Sequence, residues 1–319
     1  MLSGYLAMTA TLLLWSGFFI SLRSGAHSSL TTADIAILRF TLPALLLLPL
    51  VYRARSQLLA VPKRYLAGMF IGSGLPYLLV AATGMQYAPV ADGSALIPGT
   101  LPVFVTAIAV LFYRQSLSNH KIIGLILVLA GIAAFLYTSL IQYQPNLLKG
   151  HLLFLLGSSM WAVFTISARV ANLHALVSAG LVSLLSLAAL IIAIFNNWVD
   201  STLLVTPLIS WPWQEVIAQL LLQGVGAGFL AAISFLYAVK NLGAERSAAL
   251  ASVTPVIATL LAIPLFGEWP TTNTWFALSL ICFGSIIASQ VLRGASHKDN
   301  YQPPSFHSGE AKKQAKITT

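Results

Sequence analysis

Charge is scarce in this chain. Asp, Glu, Lys and Arg make up 8% of its 319 residues, against roughly 25% in soluble domains. That scarcity excludes a water-exposed fold, because soluble domains of this total length need far more charge to cover their surfaces. Cysteine is nearly absent: Cys282 stands alone, so no disulfide can close within the chain, and its apolar neighbours mark it as a packing residue. No Asp or Glu falls in the middle of a long apolar run, so the acidic relay common in proton-coupled carriers is not visible. Asp92 and Glu268 read as interfacial. His27, His120, His151, His174, His297 and His307 fall at helix ends, loops or tail, without metal-ligand spacing, and neither metal nor cofactor is expected. A Gly-rich phosphate loop and a His-Glu-x-x-His helix are missing too. Gly72-Ser73-Gly74 faintly suggests a membrane serine hydrolase, but no His falls inside a span to serve as its base. The expected protein is not an enzyme.

Apolar residues are what the chain has. They make up 58% of it, and the mean hydropathy is +0.85. A spanning helix needs about 20 mostly apolar residues, and ten such runs are present: 4–22, 34–52, 66–86, 91–112, 122–140, 151–168, 175–196, 216–239, 246–266 and 273–292. Lipid leaves open backbone groups unsatisfied, so all ten must be helices. The fold class is therefore an all-α integral membrane protein. Most joins are short and turn-like; the longest, 197–215, contains Trp211-Pro212-Trp213. Residues 293–319, with Pro303-Pro304, Lys312, Lys313 and Lys316, read as a basic, disordered cytoplasmic tail.

The net charge of +9 does not indicate nucleic acid, because the positive residues sit between apolar runs rather than on one face. With the N-terminus in the cytoplasm and the spans alternating, every Lys and Arg falls on the cytoplasmic side except Arg23, Lys149 and the intramembrane Arg39. Asp34, Asp92, Asp200, Glu215 and Glu268 fall outside, with Trp198, Trp211, Trp213, Trp269 and Trp275 as an outer aromatic belt. A multi-pass protein of the cytoplasmic (inner) membrane with both termini inside is expected. The first run has almost no basic leader and is long enough to span, so it does not read as a removable signal.

The first half of the chain recurs in the second. At a shift of about 146, Gly4, Trp15, Phe18, Ser21 and Arg23 meet Gly150, Trp161, Phe164, Ser167 and Arg169. At about 153, Ala91, Ser94, Pro102, Thr106 and Gly131 meet Ala244, Ser247, Pro255, Thr259 and Gly284. Residues 1–140 and 150–292 are thus two repeats of five spans each. Five is odd, so the halves must be inverted in the membrane. Inverted repeats place a binding cavity between them near the midplane.

This order of features resembles the drug/metabolite transporter superfamily, in particular its EamA-type branch. The resemblance rests on Trp15-Ser16 and Trp161-Ala162, Leu38-Arg39-Phe40, Leu101-Pro102-Val103-Phe104 and Thr254-Pro255-Val256, Phe266-Gly267-Glu268, Gly131 and Gly284. It covers residues 4–292. Members often carry Glu after the fourth span of each half; Glu268 keeps it and Gln115 does not. The resemblance implies two inverted bundles, alternating access without ATP hydrolysis, and export of small metabolites or amino acids. Multidrug efflux of cationic compounds is the alternative within the class. A passive channel or lipid flippase is the alternative outside it.

Several residues stand out as site candidates. Trp15 lies about 16 Å into its span, near mid-membrane, and Trp161 matches it from the opposite side. Both are expected on the cavity wall against substrate, with interhelical packing as the alternative. Arg39 is a cation inside a span and a candidate anchor for a substrate carboxylate; it could instead snorkel outward or pair with Asp34. Tyr77, Gln86 and Tyr237 are further substrate-binding candidates. Pro102 and Pro255 are candidate hinges, with fixed kinks as the alternative. Gly68/Gly72 and Gly224/Gly228 suit close helix packing. Expected partners are a small-molecule substrate and the bilayer. Proton or ion coupling is left open, and so is the choice between monomer and homodimer.

Overall fold

The computed structural model describes residues 2–288 except 115 and 142. Gln115 and the tail 293–319 lie outside the described residues. All regular structure among the described residues is helical. In chain order the main helices are α1 (Leu2–Ala26), α2 (Thr32–Arg53), α3 (Lys63–Ser73 and Leu75–Tyr87), α4 (Val90–Gly99 and Leu101–Tyr113) and α5 (Asn119–Ile141). The second half follows with α6 (Pro145–Ala171), α7 (Ala175–Phe195), α8 (Trp213–Leu242), α9 (Ala244–Ala251 and Thr254–Phe266) and α10 (Thr272–Ala288). Eight of these are long and apolar enough to cross a bilayer, and the last two are shorter apolar helices. The chain is a multi-span membrane protein.

Local chemistry sets the helix ends. Thr31 and Asp34 form a capping box at the start of α2, satisfying donors that the first turn leaves open. Pro145 occupies the first turn of α6, where its missing N–H costs nothing. Gly267 closes α9 with φ of +68°, a left-handed conformation that glycine adopts without a Cβ clash. The join 197–215, expected as a loop, contains two short helical turns, Thr202–Val205 and Leu208–Ser210. Asp34 ties it down, accepting from Ser201 Oγ at 2.6 Å and from the backbone N–H of Thr202 and Leu203. Asp34 is thereby committed, and the pairing with Arg39 considered from the sequence does not form.

Small residues let the helices meet. α5 and α10, the fifth helices of the two halves, cross at Gly124 and Gly284, where a Cβ added at Gly284 would sit 2.7 Å from the Gly124 carbonyl oxygen. A side chain at Gly72 would collide with the Met160 backbone of α6, and one at Gly224 would sit 2.5 Å from Leu38 O of α2. With no hydrophobic drive between helices in lipid, this close van der Waals fit is what holds them.

The packing pattern carries the repeat. α1 packs on α8 and α9 of the other half, and α6 packs on α3 and α4; α2 pairs with its counterpart α7, and α5 with α10. The C-terminal end of α1 lies at the N-terminal end of α6. Arg23, at the end of α1, bonds Glu268, which in turn binds the first N–H of α4; Asp92, in the first turn of α4, bonds His151 near the start of α6. The first helices of the two halves therefore run antiparallel.

Three helices are interrupted. α3 breaks at Gly74, α4 at Thr100, and α9 between Ala251 and Thr254. Hydroxyls satisfy the backbone freed there: Ser186 of α7 accepts from Leu75 N at 3.0 Å, and the Thr100 and Thr254 hydroxyls donate to Leu96 O and Ala251 O. Pro102 and Pro255 occupy the first turn after the breaks in α4 and α9. They start new helical segments rather than kinking continuous ones.

Candidate functional site

The breaks surround one large cavity. It has a volume of about 760 Å³ and lies between the two halves, walled by α1, α2, α3 and α4 from one and α6, α7, α8, α9 and α10 from the other. Its lining reaches Leu173 and Ala175 in the α6–α7 turn, and no lining residue comes from the loops at the opposite end. The cavity therefore extends toward the end that holds Arg169 and stops short of the end that holds Arg23.

Aromatic rings dominate the wall: Trp15, Phe18, Phe19, Phe40, Tyr77, Trp161, Phe164 and Phe235. Trp15 packs on Phe235 with ring centroids 5.1 Å apart, and Trp161 on Tyr77 at 6.2 Å. Each matched Trp thus meets a ring from the third helix of the opposite half. Phe18 stacks on Tyr77 with an interplanar angle of 11°. Polar groups on the wall are few, among them Thr165, Ser178, Ser183 and Ser285.

Arg39 is the single charged side chain among the lining residues. Its guanidinium donates to Gln223 Oε1 at 2.6 Å and lies 4.8 Å from the centre of the Phe18 ring and 5.7 Å from that of Phe40. Gln223 sits in the π-helical stretch Leu220–Leu230 of α8 and donates to Phe18 O. Such stretches recur at functional sites. Among the described residues no carboxylate lies within ion-pairing distance of Arg39, so its charge is balanced only by amide oxygen and ring faces.

The cavity brings together Trp15, Trp161, Tyr77, Arg39, Pro102 and Pro255. It does not include Gln86, which is exposed near the end of α3, or Tyr237, which faces outward on α8. Neither lines the cavity: Gln86 lies at the end of α3 that the cavity does not reach, and Tyr237 is exposed on α8.

A polar plug closes the opposite end. Arg23 Nε donates to Glu268 Oε1 at 2.5 Å, and Arg23 Nη1 donates to the Met85 carbonyl at 2.5 Å. Glu268 Oε2 accepts from Val90 N at 2.9 Å. One ion pair thus pins α1 to the ends of α3, α4 and α9. Beside it, Asp92 Oδ2 and His151 Nε2 are 2.7 Å apart, and both side chains are buried. This corrects the sequence reading in two places. His151 lies inside α6 rather than at a free end, and Asp92 and Glu268 are enclosed by neighbouring helices rather than spread on the interface. The partners are 59 and 245 residues apart in sequence, beyond the reach of any local pattern. The available signals were the Arg23–Arg169 match between repeats and the acid kept at Glu268.

Two matched halves, three interrupted helices and a central cavity closed at one end define the class: a multi-span membrane protein built around a central cavity. The family model of EamA-like transporters matches residues 2–137 and again 148–290. The chain belongs to the EamA-like transporter family. Curated relatives include the uncharacterized transporter YoaV of Bacillus subtilis (strain 168), 22% identical over 282 residues, 88% of this chain and 94% of that protein. Another is the uncharacterized inner membrane transporter YedA of Escherichia coli (strain K12), 25% identical over 292 residues, 89% of each. A crystal structure, described only as that of a protein, superposes with a TM-score of 0.55 at 20% identity, covering 91% of this chain and 98% of its own; that likeness shows the fold alone.

Proposed function

We propose that this transporter exports amino acids or related carboxylate-bearing metabolites across the inner membrane by alternating access. The observation that carries the substrate class is the cavity wall, eight aromatic rings around one cation, Arg39. A ligand with an apolar body and a carboxylate satisfies both, since the carboxylate gives Arg39 an anionic partner. A cationic drug would meet the same charge as repulsion, which argues against multidrug efflux.

The distribution of Lys and Arg supports placing the Arg23 end outside and the Arg169 end in the cytoplasm. YedA is described as an inner membrane protein, which favours the same membrane here. The described conformation then corresponds to a carrier open inward and closed outward. The Arg23–Glu268 plug between cavity and exterior argues against a continuous pore. The helix breaks before Pro102 and Pro255 lie where each half would flex as it opens. Export as the direction comes from the family resemblance.

The test is thermal stabilisation of the purified protein by aromatic and aliphatic L-amino acids against tetraphenylphosphonium. A ligand at about 100 times its Kd adds about 2.7 kcal/mol to the native state. Arg39→Gln is expected to weaken binding of the amino acid by about 10-fold or more, since a charge-assisted hydrogen bond contributes roughly 1.5–3 kcal/mol. Stabilisation by the cation alone, undiminished in Arg39→Gln, would replace this reading with cationic efflux.

A further inference from the structure

The cavity holds a positive charge of its own and no negative one. Among its described lining residues Arg39 is the single ion, and no Asp, Glu or His occurs. Gln223, which accepts from Arg39, is fully buried and does not line the wall. An amino acid carries a carboxylate and an ammonium on the same carbon atom. When its carboxylate docks on Arg39, its ammonium must therefore lie close to the guanidinium.

The neutral groups of the wall give that ammonium little in return for its water. The rings of Phe18 and Phe40 already face the guanidinium, 4.8 and 5.7 Å from their centres. Trp15 packs on Phe235, and Trp161 on Tyr77. Broken helices often offer bare carbonyls to a cation, but here those carbonyls are taken. Pro102 and Pro255 have no N–H to donate, and the carbonyls this leaves, Pro98 O and Ala251 O, accept from Thr100 N and the Thr254 hydroxyl. The Thr165 hydroxyl donates to Trp161 O. Ser178 and Ser183 also line the wall, but a hydroxyl both donates and accepts, so it favours neither sign.

Charge then separates the ligands. A zwitterion leaves the cavity with the charge that Arg39 gives it, and adds a dehydrated ammonium without a counter-ion. A monoanion cancels the charge and adds no second ion. A buried ion without a partner is costly, and a ring face returns only part of that cost.

We propose that the cavity selects carboxylates that carry no free ammonium, such as aryl- and branched alkanoic acids or N-acylated amino acids, over the parent amino acids. This rests on the carboxylate reading above and narrows it.

The test is calorimetric titration of the purified full-length protein at neutral pH with matched pairs that differ only in the ammonium. These are 3-indolepropionate against L-tryptophan, 3-phenylpropionate against L-phenylalanine, and 4-methylpentanoate against L-leucine. The ammonium-free member of at least one pair should bind about tenfold more tightly. The acid is also the more apolar member, so two variants separate charge from partition. Arg39→Gln removes the cation, and Gln223→Glu neutralises it from within the protein. In both, the members of a pair should bind within about threefold of each other. A tenfold ratio that survives in a folded variant overturns the proposal, because partition then explains it. An amino acid that binds as tightly as its ammonium-free partner, and weakens in the variants, overturns the proposal and leaves the carboxylate reading standing. If neither member of any pair binds, both fail.

Discussion

Replacing Glu268 by Gln tests the Arg23–Glu268 plug as a latch without removing its shape. The carboxylate joins two contacts, Arg23 Nε at 2.5 Å and Val90 N at 2.9 Å. Gln keeps one acceptor oxygen, so a single neutral bond survives while the charge and one charge-assisted bond are lost. Hydrogen bonds to charged groups contribute roughly 1.5–3 kcal/mol each. The two side chains are 16% and 14% exposed, so water screens little of the pair, yet the site is less enclosed than a core where breaking a pair costs about 3–5 kcal/mol. A shift of about 2 kcal/mol toward the open form follows, or about 30-fold in the opening equilibrium. Backbone amide exchange reads this directly, since protection falls as the open population grows. Residues 88–94, whose first amides are held at the latch, should exchange about 30-fold faster in Glu268→Gln. Residues 168–176 at the other end should not. Combining Glu268→Gln with Arg23→Gln should add little to either single change, because both remove the same bond. Unchanged exchange at 88–94 would refute the reasoning. Equal acceleration at both ends would also refute it, by showing general loosening instead of a latch.

Two further changes probe the frame. Asp34→Ala removes an acceptor shared by Thr31, Ser201, Thr202 and Leu203, so thermal unfolding in detergent should reveal a loss of about 2–4 kcal/mol; an unchanged melting temperature would contradict the anchoring of 197–215. Gly284→Ala forces a Cβ to 2.7 Å from the Gly124 carbonyl oxygen, and because helices in lipid depend on close fit, it should lower folded yield far more than Gly157→Ala, where the nearest atom would lie 3.7 Å away. Equal yields would show that α5 and α10 do not meet as described.

What could be read along the chain was whatever depends on composition and order. Apolar run length reports the solvent, so the helical membrane fold was legible, with eight of the ten expected runs long enough to span and two forming shorter apolar helices; an odd number of spans per repeat implies inversion. Trp15 and Trp161 were legible because repeat matching compares positions, and both line the central cavity. The Pro102/Pro255 pair was legible as a special place, but only the structure revealed it as the restart of a broken helix. Gln86 and Tyr237 show where one dimension ends. They share helices with Tyr77 and Gln223, yet Gln86 and Tyr237 are exposed while Tyr77 and Gln223 are buried.

In a soluble protein the apolar stripe marks the inward face of a helix. In lipid both faces are apolar, because the outer solvent is as greasy as the core, so hydropathy determined that these helices span and said nothing of which way they turn. That orientation was decided by contacts between distant residues: glycine against backbone at Gly72, Gly124 and Gly224, and buried polar groups compelled to find partners, Arg39 with Gln223, Arg23 with Glu268, His151 with Asp92. An unpaired charge or amide costs several kcal/mol away from water, and this cost selects one rotation among the many that hydropathy allows.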